Sequence, residues 1–143
     1  MNEEVQKEIL YDLEKALSIL QTREAKDLEE LKTLSDHAIE HVALYKDLDI
    51  ISITVLIYSI YKTFPCITGK DYTNLVQTLQ AALEDLRRNK LGKYNGSIKA
   101  LYDIINRCST KTKEHLQDVM QAARIKKGTA LLSKGLSIGQ AAG

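Results

Sequence analysis

Ile50 to Phe64 reads IISITVLIYSIYKTF, and the fold turns on whether this run is a strand, a helix or a membrane span. Ile50, Ile51, Ile53, Thr54, Val55 and Ile57 are β-branched and favour a strand on propensity alone. Three features outweigh propensity. The run is long for a strand, its neighbours have helical periodicity, and no second run exists that could pair with it. A lone strand would leave its backbone groups unpaired. The longest uninterrupted apolar piece, Val55 to Tyr58, falls far short of the roughly 20 residues that a bilayer demands. A helix apolar on every side needs neighbours on every side. The expected fold is therefore all-α: a compact bundle of about six helices around a central apolar helix, residues 50–64.

Working outward toward the N-terminus, Lys46 to Asp49 forms a short polar connection, with Asp49 as the expected N-cap. Before it, Leu28, Leu31, Leu34, Ala38, Val42 and Tyr45 recur at helical spacing, as do Val5, Ile9, Leu13, Leu17 and Leu20 behind a capping Asn2. No glycine or proline occurs between Met1 and Phe64, so no standard stop signal separates these two stripes. A helical hairpin is expected, with Thr22 or the Ser35-Asp36 pair opening the new helix. One forty-residue helix would leave its apolar face uncovered.

Toward the C-terminus, Pro65 stops the central helix because its ring disfavours helical geometry at Phe64. A turn over Cys66 to Lys70 leads to a helix capped by Asp71 or Thr73, with Tyr72, Leu75, Leu79, Leu83 and Leu86 inward. Lys90 to Gly96 (KLGKYNG) reads as a loop. Ser97 then caps a fifth helix through Arg107, and Ser109 or Thr110 caps a sixth that contains Gly128 and ends near Gly135. The expected organisation is one bundle domain, residues 1–134, followed by a tail, residues 135–143.

At 143 residues and 44% hydrophobic, the chain can hold a core without staples. Cys66 and Cys108 form no CxxC pair and are expected to be free thiols in a reducing compartment. The acidic start has no basic flank or unbroken apolar run, so a signal peptide is not indicated and a cytoplasmic location with no membrane contact is expected. Residues 1–49 hold 13 acidic and 6 basic side chains, whereas residues 50–143 hold 6 acidic and 14 basic. That division fits either a polyanion-facing half or pairing between acidic and basic helices.

The sharpest chemical pattern is Asp36, His37, Glu40 and His41. Histidines at i and i+4 share a helical face and can share a metal ion. Glu40 precedes the second histidine, unlike the glutamate of HExxH, so it projects a quarter-turn away and a third ligand has to come from elsewhere, with His115 the candidate. No phosphate-cradling glycine loop and no local Cys-His pair is present. No cofactor is expected. Basic residues gather at Arg87, Arg88, Lys90 and Lys93, at Arg107, Lys111 and Lys113, and at Arg124, Lys126, Lys127 and Lys134. The last four are the expected phosphate contacts if nucleic acid binds.

Leu136, Ser137, Ala141 and Ala142 resemble the opening of a helix-turn-helix unit, in which a capped turn is followed by small residues that let a second helix pack closely. The chain as a whole is similar to an uncharacterised archaeal all-helical family in which a helical domain precedes such a unit. The resemblance implies that the unit is cut short here at its first helix, before the element that would read base edges. The combined expectation is a noncatalytic binding or regulatory domain with a protein partner or a second copy of itself, and with nucleic acid approached through the basic half. The alternative is a metal-dependent helical enzyme built on His37 and His41.

Overall fold

The computed structural model describes the chain over residues 1–133, with side chains described through residue 123. Among the described residues, six α-helices and one short 3-10 turn make up the bundle: α1 (Glu3–Thr22), α2 (Asp27–Tyr45), α3 (Leu48–Thr63), the turn Phe64–Cys66, α4 (Gly69–Arg87), α5 (Leu91–Cys108) and α6 (Thr112–Ser133). No strand occurs among the described residues. The all-α bundle expected from the sequence is the fold.

Helix α3 is its axis. It packs against α1, α2, α5 and α6, and α4 closes the remaining side by packing on α1 and α5. Ile50, Ile53, Leu56, Ile57 and Ile60 are essentially inaccessible to solvent. Tertiary packing on all sides is what overrides the strand preference of these β-branched residues. Over Leu48–Cys66 the chain is long and apolar enough to cross a bilayer, yet more than half of it is buried by the other helices.

Polar side chains on α3 find partners inside the bundle. The Thr54 hydroxyl donates to the Ala38 carbonyl at 3.4 Å, Thr63 donates to the Ser59 carbonyl at 2.6 Å, and Ser59 meets His115. Each such bond removes the penalty of burying an unpaired polar atom. The Tyr72 hydroxyl donates to the Leu20 carbonyl at 2.6 Å, and the Arg23 guanidinium covers the same ring at 3.9 Å, pinning α4 to the end of α1.

Several element ends differ from the sequence expectation. The hairpin turns at Arg23, which takes a left-handed conformation, while Thr22 is the last helical residue and its hydroxyl bonds back to Ser18 and Ile19. Asp47 caps α3 in place of Asp49, accepting from the Asp49 and Ile50 amides at 2.8 and 3.2 Å. Helix α4 begins at Gly69, before Asp71 and Thr73, and α6 begins at Thr112. The expected loop over Lys90 to Gly96 is helical from Leu91 onward. Asn89, left-handed, ends α4 with paired bonds from Lys90 to the Asp85 carbonyl and from Asn89 to the Leu86 carbonyl. That cap replaces the glycine stop and frees the next six residues to begin α5. Tyr94, buried on α5, anchors the segment against the cost of about 1 kcal/mol for each of its exposed glycines, Gly92 and Gly96.

The cysteines also depart from expectation. Cys66 and Cys108 are joined in a disulfide, with Cα atoms 6.1 Å apart, so the free-thiol reading is overturned. The sequence separation of 42 concealed a pairing that only the packed α3–α5 ends bring about.

Candidate metal centre

Helices α1 and α2 lie against each other as the two arms of the hairpin, and the seam between them collects three side chains with metal-binding atoms. Glu8 comes from α1, and His37 and His41 come from successive turns of α2. Glu8 Oε1 lies 2.9 Å from His37 Nε2, and Glu8 Oε2 lies 3.3 Å from His41 Nε2. All three ligand atoms fall within 4.8 Å of one another. For metal–ligand bonds of about 2.0 to 2.1 Å, tetrahedral ligand atoms sit roughly 3.3 Å apart, so little movement separates this trio from a coordination shell.

The decisive detail is the far side of the His41 ring. Its Nδ1 lies 2.9 Å from the His37 carbonyl oxygen. A carbonyl oxygen only accepts, so Nδ1 carries the hydrogen and Nε2 is left to face Glu8. Two lone pairs would then oppose each other unless a cation, either a proton or a metal ion, lies between them. A histidine held by a backbone carbonyl at one nitrogen and presenting the other is the arrangement by which proteins orient metal ligands.

Aromatic rings frame the seam. Tyr11, His37, His41 and Tyr45 form a row with centroid separations of 4.9, 4.5 and 5.9 Å, the last pair stacked. One turn along α1 from Glu8, Asp12 is fully buried, and neither of its carboxylate oxygens has a hydrogen-bond partner. Burial first, and the Glu8 charge second, push its carboxyl up to about 8, so it is held as a neutral acid at neutral pH.

The remaining sequence candidates fall elsewhere. Glu40 is exposed and Asp36 pairs with Lys32 at 3.5 Å, so neither joins the trio. His115 is not the third ligand. It is buried on α6 with Nδ1 2.7 Å from the Ser59 hydroxyl, against the edge of the Tyr58 ring. Desolvation lowers its pKa, with Lys62 and Lys111 acting in the same direction and Asp118 and Glu114 opposing. Glu8, the true third member, has no local signal in the sequence. Only the neighbouring Asp12, an acid set inside the apolar stripe of Val5, Ile9, Leu13 and Ala16, marked this face of α1 as unusual.

Of the basic clusters, Arg87 pairs with Glu14, Arg88 with Glu84 and Arg107 with Asp71. The Arg87–Glu14 bridge crosses between the basic and acidic halves, while Arg88 and Arg107 find acids within the basic half. The proposed phosphate contacts Arg124, Lys126, Lys127 and Lys134 lie outside the described side chains, as does the tail at residues 135–143. Comparison of the chain with protein-family models, with curated proteins and with solved structures finds no match.

Proposed function

We propose that the chain is a metal-binding helical domain in which a first-row divalent ion joins α1 to α2 through Glu8, His37 and His41. Two imidazoles and one carboxylate form a borderline donor set, and zinc suits it best. The observation that carries the reading is the His41 ring, whose Nδ1–H is committed to the His37 carbonyl while Nε2 faces a carboxylate 3.3 Å away. The ion would take the place of the proton that otherwise has to lie between His41 Nε2 and Glu8. It would also fasten the two arms of a hairpin that has neither proline nor glycine at its turn, making metal occupancy a control on the stiffness of the acidic half of the bundle.

Zinc titration of the purified chain tests this directly. One ion per chain is expected, and at a hundredfold excess over the dissociation constant the fold should gain about 2.7 kcal/mol. The double change His37→Ala, His41→Ala should abolish both uptake and stabilisation. Failure to retain zinc, or retention undiminished in the double variant, would overturn the proposal.

A further inference from the structure

Beside the trio runs an open groove of about 550 Å³ between α1 and α2, lined by Tyr11, Lys15, Ser18, Ile19, Leu34 and His37, with Lys26, Glu29, Glu30 and Thr33 completing its walls. His37 thus belongs both to the trio and to the groove. Its side chain is 37% exposed, against 15% for Glu8 and 18% for His41, so the solvent-facing side of the centre is the side that looks into the groove. Three protein ligands leave a tetrahedral ion one position short. That position would be reached from the groove, which His37 alone of the trio lines.

The walls specify what would enter. Ile19 and Leu34 are buried and form an apolar floor, and the Tyr11 ring stands at the His37 end, 4.9 Å between centroids. Lys15 lies with its ammonium 5.7 Å from the centre of the Tyr11 ring, on the same wall. Lys26, farther out, is already neutralised by Glu24 and Glu30 at 3.5 and 3.3 Å. A divalent ion held by one carboxylate and two neutral imidazoles keeps a net single positive charge; along the walls Glu29 offsets Lys15, so the attraction for an anion centres on the ion, with Lys15 the one lining cation that no acid pairs among the described contacts. The volume is within the range that small organic ligands fill.

We infer that this groove binds a small carboxylate with an aromatic or branched apolar body, its head group on the metal ion and beside Lys15, its body on Ile19 and Leu34. The inference rests on the metal reading above and adds to it an exchangeable fourth ligand. The ion then recognises a ligand as well as fastening the hairpin.

Cobalt(II) in place of zinc gives a visible spectrum that reports its coordination, and phenylacetate is the probe. With the full chain loaded with cobalt, phenylacetate should shift the visible bands in a saturable way, and acetate, which lacks the body, should need a much higher concentration. Lys15→Gln should weaken phenylacetate by about tenfold, the worth of one charge-assisted contact. Ser18→Trp, a change at an exposed wall position, should block the probe and leave cobalt affinity unchanged. A cobalt spectrum that phenylacetate leaves unmoved, or moves equally in Ser18→Trp, overturns the groove while leaving the metal centre standing. Absence of any cobalt spectrum removes the metal centre and the groove together.

Discussion

Two seams of this bundle hold histidine, and they are opposites. Between α3 and α6, His115 is buried, its Nδ1 satisfied by Ser59 at 2.7 Å, and the neighbouring Tyr58 hydroxyl donates to Asp118 at 3.0 Å. Between α1 and α2, His37 and His41 are partly open, and both present Nε2 to one carboxylate. The first arrangement is complete as it stands, because every polar atom named has a neutral or charge-matched partner. The second is complete only when a cation joins it. Burial alone would rank His115 as the more unusual residue, yet a satisfied core histidine does structural work, and the chemical opportunity lies where lone pairs converge.

The largest expected effect is on the closed side. The Cys66–Cys108 bridge ties the turn after α3 to the end of α5, just ahead of α6, and so holds both approaches to the His115 seam. Closing a loop of this length restricts the unfolded chain by about 4 kcal/mol in the chain-entropy account. Denaturant unfolding with and without a thiol reductant, repeated on Cys66→Ser, should show that loss, and the metal affinity of the α1–α2 seam should be spared. Equal damage to both seams would mean that they are one cooperative unit.

An effect of similar size separates the seams by pH. Asp12, beside the open seam, has a folded-state pKa raised to about 8 by burial and by Glu8. The unfolded carboxyl ionises near pH 4, so between about pH 4 and pH 8 the folded state holds a proton that the unfolded state has released. Stability is therefore full in acid and falls as pH rises, at up to about 1.4 kcal/mol per pH unit, with a cumulative loss at neutrality on the order of 4 kcal/mol. His115 works the other way. Its lowered pKa keeps the folded ring neutral, so its contribution is present above about pH 6.5 and is lost as pH falls. Asp12→Asn should flatten the alkaline arm of the stability profile and leave the acid arm in place, as measured by thermal unfolding across that range.

How much of this was legible in the sequence follows from distance along the chain. Ile50 to Phe64 announced the central helix through its own length and Pro65, and the four-residue spacing of His37 and His41 put them on one face. Glu8 stands 29 residues from His37, and apart from Asp12 one turn on, nothing near it in sequence distinguishes it from the other acids of α1. Cys66 and Cys108, and Ser59 with its partner His115, are likewise joined only by packing. The misplaced loop at Lys90 to Gly96 has a local cause. Glycines suggested a stop, whereas Asn89 provided one by turning left-handed immediately after α4.

The sharpest comparison uses the same substitution in both seams. His115→Ala removes a buried ring together with its Ser59 bond, and should cost about 2 kcal/mol whether or not metal is present. His41→Ala removes one of the two imidazoles that face Glu8, and in metal-free protein should cost less than His115→Ala, because Glu8 keeps His37 as a partner at 2.9 Å. Saturating zinc should reverse that ranking: the wild-type chain and His115→Ala gain the binding energy, His41→Ala does not, and the open seam becomes the costlier one to damage. Chemical denaturation of the three proteins, each with zinc and with a chelator, reads all of these differences at once. If the ranking stays the same in both conditions, the two seams are alike after all and His41 serves only as a partner to Glu8.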